Sequence, residues 1–430
     1  MKAGLILLVG FVLVLVASVA ALFSPYMAIR ILGGVVLGVI LYVGCLLFWP
    51  VVKMSPRLLS AVLFMNGLFA LDSVLCSTML AFWQSWNSIF TKLGFAEEHE
   101  ELRAWYTQIA SNAMMLGDFN RASGMNRRCL EIAMKDGTVA DVGEARVNLA
   151  YILLKRGELE ESSMLMKKGL ADVEREYNRH VRELEDVEGD LERSSKDEEA
   201  IELESDVAFA RLDLEQIKLR FYTCLYSYGD FLETFLLFDQ AVSVRERAFE
   251  IAKDCFPEGE KGLEYALTQL GICQARVSQF EKAEESLKKG FQLRAKLYDK
   301  DSSAYSHGLF SLGLLHHLKG ELEEAQPLME EHLKIFYRLP RVYRIDEGYY
   351  LTYHGALQRD LGKFEEASKT LEKAMELKDK LYGKGHPDLI ETYIEYEKLL
   401  RMQGNLHKAD IFKGKIENLT EQTRKKANLD

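Results

Sequence analysis

Residues that often carry enzymatic chemistry occur in this 430-residue chain, but not in arrangements that use it. His316 and His317 are adjacent. On a helix, neighbours point about 100° apart, so the two imidazoles cannot share a metal face as an i, i+4 pair does. There is no HExxH, CxxC or GxxxxGK[ST] motif, and no GxGxxG in a strand-to-helix setting. Cys45, Cys76, Cys129, Cys224, Cys255 and Cys273 are scattered, which suggests packing thiols rather than a zinc site or disulfide framework. An enzyme is therefore not expected, nor is a metal or cofactor. The remaining chemistry is recognition, with basic side chains beside aromatic ones able to hold a partner by charge-assisted hydrogen bonds and stacking.

The elements that would position such residues are set by a strict period. Ala241, Ala283, Ala325, Ala367 and Ala409 recur every 42 residues. Twelve residues before the first four stand Gly229, Gly271, Gly313 and Gly355. Three residues before each alanine is Phe238, Phe280, Leu322, Phe364 or Leu406, and five before the last four come Ser278, Gly320, Gly362 and Gly404. A period of this length predicts stacked helix pairs. In each, a glycine on the first helix admits the second closely, a turn follows, and a small alanine receives the neighbour.

This pattern resembles the tetratricopeptide repeat (TPR), and its 42-residue step resembles the longer repeats of the kinesin light chain group. The segment Leu381-Tyr382-Gly383-Lys384-Gly385-His386-Pro387-Asp388 is similar to that group's inter-repeat linker. Lys363-Phe364-Glu365-Glu366-Ala367 and Glu321-Leu322-Glu323-Glu324-Ala325 are similar to its turn. The resemblance covers about residues 100–420 and implies an all-α solenoid. It also implies an inner face that includes Tyr226, Tyr265, Arg276, His307, Phe310, His317, Tyr349, Thr352, Arg359 and Arg401, while His316 and His354 pack between helices. The group's usual asparagine pair is replaced by Thr268-Gln269, Phe310-Ser311 and Thr352-Tyr353, so its cargo preference is not implied. On this reading, Arg276→Glu with Arg359→Glu abolishes partner capture and leaves folding intact.

Two degenerate units are expected in residues 97–171, with Ala122 and Ser162 at the alanine position, and five regular units in 222–420, followed by a polar tail, 421–430. Between them, 172–221 reads as an inserted helical hairpin. Val173, Tyr177, Val181, Leu184, Val187 and Leu191 form one apolar seam, and Ile201, Val207, Ala210, Leu214, Ile217 and Phe221 another. From Asp172 to Asp206, fifteen acids face five bases, a net of −10 beside −11 for the whole chain. This is a solvated acidic face or an arm that docks a basic partner, and it disfavours nucleic acid.

Residues 1–84 read as a membrane region, with spans at about 4–23, 29–51 and 58–83. The first, with Ser18-Val19-Ala20, also has the form of a signal peptide. The third contains Asn66 and Asp72, polar groups that are costly inside a bilayer. Lys2, Lys53 and Arg57 set the orientation: three spans place the repeats opposite the cytoplasm, and two leave them in it. The function expected is a membrane-anchored adaptor or scaffold that binds a protein or peptide in its groove. Self-association, or a transport-related site at Asp72 and Asn66 regulated by the repeats, are the other readings.

Overall fold

A computed structural model describes residues 100–194, 197–256, 261–340 and 345–429. The three expected spans, with Asn66 and Asp72, lie outside these residues; no helix among those described is long and apolar enough to cross a membrane. Fourteen α-helices and no strands are found among them. In order they are α1 (Glu100–Met115), α2 (Phe119–Asp136), α3 (Val139–Lys155), α4 (Leu159–Arg193), α5 (Asp197–Thr234), α6 (Phe238–Cys255) and α7 (Leu263–Arg276). There follow α8 (Phe280–Leu297), α9 (Ser303–Lys319), α10 (Leu322–Arg338), α11 (Glu347–Asp360), α12 (Phe364–Tyr382), α13 (Leu389–Met402) and α14 (Leu406–Lys426). Successive helices pack as seven pairs, and each pair packs on the next.

Within every pair the chain turns at a left-handed residue five places before the alanine position: Gly117, Gly157, Leu236, Ser278, Gly320, Gly362 and Gly404. The N–H that follows it reaches back five residues, as Gln279 N does to Gln274 O at 2.9 Å and Lys363 N to Gln358 O at 2.8 Å. This bond satisfies a carbonyl left over at the helix end. Leu236 (φ 57°) and Ser278 (φ 62°) adopt the same conformation without glycine's freedom.

The periodic small residues lie where helices meet. Ala241, Ala283, Ala325, Ala367 and Ala409 are fully buried. A Cβ on Gly271 or Gly355 would stand 2.6 Å from Cγ of Leu287 or Leu371, and on Gly313 2.8 Å from Met329. Ser162 takes an alanine position in α4, also fully buried, and its hydroxyl donates to Ala150 O at 2.7 Å. At the insertion, α4 and α5 run on beyond their pair. Tyr177 packs on Phe221 at 5.0 Å, Val207, Leu214 and Ile217 are buried, and Arg211 bridges to Glu188.

The array also curves until its end meets its beginning. Lys155, the last residue of α3, pairs with Asp388 at 3.0 Å, and His386 Nε2 donates to Leu154 O at 2.7 Å. Tyr382 stacks between Phe119 (5.8 Å) and His386 (4.7 Å). Leu381 and Tyr382 join the small cluster of Ala113, Phe119, Ala122 and Ile152. Further on, Arg424 donates to Phe235 O at 3.0 Å, and Lys167 to Asn428 O at 2.9 Å, while Ala427 enters the core of α3–α6.

The turns make a stability prediction. A left-handed residue other than glycine costs about 1–3 kcal/mol, and Ser278 is exposed. Ser278→Gly should raise the urea midpoint by about 1 kcal/mol in stability, and Gly362→Ser should lower it by a similar amount. Equal midpoints for the three proteins would show that this turn conformation carries no strain.

Candidate functional site

Closure converts the inner face of the array into a cavity of about 1160 Å³. The first helices of successive pairs supply most of its wall, because their successive turns point inward. Tyr226, Asp230 and Glu233 come from α5, Glu264, Tyr265 and Arg276 from α7, His307 from α9, and Tyr349 and Tyr350 from α11. Lys155 and the segment Leu381–Asp388 close the remaining side, with Glu391 of α13.

Its charges are largely paired within the wall. Arg276 meets Glu391 and stacks on Phe238 and Tyr353, at 4.8 and 4.6 Å from their ring centres. Arg245, fully enclosed, binds Asp230 and Glu233, donates to Tyr226 O at 2.9 Å, and lies 4.5 Å over the Tyr226 ring. At the closing contact, burial alone would lower the Lys155 ammonium, but Asp388 outweighs it and holds the lysine well above its ordinary value. Burial likewise opposes the Asp388 charge, yet Lys155, His386 and Lys378 bring its carboxyl down to about 2. His386 is kept below its usual value by burial, against the raising influence of Asp388. Burial, and then the charge of Arg294, push His307 well below its ordinary value, so the ring is neutral. Its Nδ1 lies 3.1 Å from Tyr350 OH. The described cysteines are free; burial raises Cys129 and Cys255 to about 11 and Cys224 and Cys273 further.

Five of the ten inner-face residues expected from the sequence line this cavity: Tyr226, Tyr265, Arg276, His307 and Tyr349. Tyr226 and Tyr265 share a hydroxyl–hydroxyl hydrogen bond, with ring centres 4.9 Å apart. The other five are placed elsewhere. Phe310 is fully buried against Tyr349, Tyr350 and Tyr353. Thr352 is fully buried and shares a 2.8 Å hydroxyl contact with Thr392. His317 is buried, its Nε2 2.8 Å from Asp360 Oδ2. Arg359 is buried between Asp360 and Glu395. Arg401 lies on the outside with Glu397 and Asp410. All but Arg401 join one repeat to the next, because the curvature that closes the array presses first-helix flanks together.

Lys155, Lys261, Arg294, Lys378 and Lys380 on the cavity wall, and the buried Arg245 behind it, were missed from the sequence. Arg245 stands four residues past Ala241, where the next three units have Leu287, Met329 and Leu371 and the terminal unit has Lys413. Arg294 and Lys378 share a position that is Ala252 and Phe336 in other units. For Arg245, Arg294 and Lys378 the signal was a charge at a packing position of a regular repeat. It also explains Gly229, whose Cβ would fall 2.6 Å from the Arg245 guanidinium.

The repeated pairs, stacked in one curved array, define a helical-repeat protein. Residues 262–338 and 349–416 match the tetratricopeptide repeat family, so these units are TPRs. No curated protein matches the chain. Similar solved structures include the kinesin light chain TPR-like repeats of Podosopora anserina, at 16% identity over 46% of this chain and 95% of that one (TM-score 0.33). BtubC (BKLC) from P. vanneervenii has 18% identity over 62% and 92% (TM-score 0.37). A Rap protein complexed with competence and sporulation factor has 14% identity over 86% and 100% (TM-score 0.39).

The expectation that Arg276→Glu with Arg359→Glu leaves folding intact is corrected by their pairing. Each reversal sets a buried carboxylate against Glu391 or Glu395, and breaking a buried pair costs about 3–5 kcal/mol. Arg276→Glu and Arg359→Glu should each lower the melting temperature, whereas the exposed Arg401→Glu should leave it nearly unchanged. Equal melting of all three would show that the two inner arginines are not paired in solution.

Proposed function

We propose that this protein is a TPR scaffold that takes a peptide segment of a protein partner into its central cavity and holds that partner at a membrane. The cavity carries this reading. Its volume exceeds the roughly 300–1,000 Å³ of typical small-molecule sites, and tyrosines with internally neutralised charges line it. Such a wall offers stacking and hydrogen bonds over an extended surface. Its charges are already held in place, so little ordering is needed on binding. The tether rests on the apolar runs Gly4–Phe23 and Met27–Val52, each long enough for a membrane helix. Tethering would raise the effective concentration of a captured partner at the bilayer.

Filling the cavity tests the first part. Gln269 and Ser303 line it and are not buried. Gln269→Trp with Ser303→Trp should abolish affinity capture of partners from native membranes, while far-ultraviolet circular dichroism and melting stay as in the wild type. Partners retained by the filled protein would place binding elsewhere, the acidic hairpin being the next surface to examine.

Alkaline carbonate extraction tests the second. The full-length chain should stay in the membrane pellet, and a chain lacking residues 1–84 should be released. Release of the full-length protein would remove the tether.

A further inference from the structure

The long arm of α5 has two apolar faces, and one of them is left in solvent. Val207, Leu214, Ile217 and Phe221 are buried, in a helix that packs on α3, α4 and α6. On the opposite side stand Ile201, Phe209, Leu212 and Leu219, which are 69, 66, 56 and 45% exposed. At about 3.6 residues per turn these four share a face with the exposed Ser205, Ala208, Gln216 and Thr223. That face is about 100° wide, the width of a packing stripe. It carries no charge between residues 201 and 223, although the same segment has eight charged residues. A solvated acidic arm has no use for such a stripe; contiguous exposed apolar surface marks an interaction site.

The order of the stripe says what covers it. From tip to base its four large side chains are separated by steps of eight, three and seven residues. From base to tip the steps are seven, three and eight, so the stripe matches its own reverse to within one residue. An antiparallel second copy therefore sets Ile201 on Leu219 and Phe209 on Leu212, twice over, about a two-fold axis. The flanking charges agree with that direction. Glu204 and Lys218 lie on one flank of the stripe, and Asp206 and Arg220 on the other, with both acids exposed towards the tip. Lys218 and Arg220 stand at the base, where they also meet Asp254 and Asp141. Two antiparallel helices bring like flanks together, so each acidic tip comes to lie beside the basic positions of its copy. A parallel pair would instead set Glu204 against Glu204 and Asp206 against Asp206, which is unfavourable.

We propose that the protein pairs with a second copy of itself through this stripe, α5 against α5 and antiparallel. The pairing does not depend on what the cavity holds. An anionic membrane surface is a poor occupant of the same face, because Glu204, Asp206 and Asp213 are exposed around it.

The test cross-links the full-length protein in isolated membranes with a short bis-maleimide, using the wild type as the control for native cysteines. Leu212→Cys, near the two-fold axis, should give a dimer band at least fivefold stronger than the wild type. Ile201→Cys and Leu219→Cys should each give little alone, because like positions lie about 27 Å apart, yet should link when co-expressed. In detergent, light scattering should find twice the 49.1 kDa protomer for the wild type. Phe209→Glu with Leu212→Glu should give a single protomer and, since both positions are exposed, should melt as the wild type does. Ile201→Cys that links to itself as readily as Leu212→Cys would contradict the antiparallel pairing. Leu212→Cys that gains no dimer, or a wild type of one protomer mass, would overturn the pairing altogether. A link from Leu212→Cys only to a different protein would assign the face to a foreign helix and overturn it equally. A glutamate variant that stays dimeric would show that the copies meet elsewhere.

Discussion

The closure of the array centres on one ion pair between residues far apart in sequence. Lys155 ends the first helix of the second pair, and Asp388 opens the seventh pair; their 3.0 Å contact, with His386 on Leu154 O, joins a solenoid to itself. A repeat array is stable through nearest-neighbour contacts alone and has no need to close. Closing therefore adds something different: it brings the two ends of a concave strip together around a central cavity that stays partly open to solvent. The cost of burying two charges is met by their mutual attraction and by the rings of Tyr151 and Tyr382 around the ammonium, 5.7 and 5.2 Å from it.

Around this cavity several charged side chains are themselves buried and need partners. Arg245 pairs with acids on the adjoining α5, Arg276 with Glu391 on the distant α13, and Lys155 with Asp388 just before α13. Lys378 does so with a carbonyl and a hydroxyl. These are departures from the apolar pattern of the repeat, and such departures mark the positions where a fold gives up stability for another purpose. Arg294 has no acid and is held by the Ala304 carbonyl, with the Tyr265 ring 5.8 Å away.

The regular part of the fold was legible because each unit repeats the same local problem. Positions such as Gly271, Ala283 and Ser278 declare a close crossing, a small contact and a left-handed turn by type and spacing. The paired helices, and the long arms of α4 and α5, follow from periodicity alone. The closure was not legible: Leu154 and His386 are 232 residues apart, and nothing in a 42-residue period states how far the superhelix turns. For the same reason only five of the ten expected inner-face residues line the cavity. Counting along first helices finds Tyr265 and Arg276, but cannot tell that curvature buries Thr352 and Phe310 between neighbours. The buried cations were readable as charges at packing positions, though their partners were not.

A double-mutant cycle between Lys155 and Asp388 tests the closure most directly. Folding stability would be measured by urea titration for the full chain, Lys155→Met, Asp388→Leu and the double variant. Residues in contact are coupled by about 0.5–3 kcal/mol, so the double variant should lose clearly less stability than the two single losses combined. Additivity within about 0.5 kcal/mol would mean that the two ends of the array do not meet, and that the groove is open.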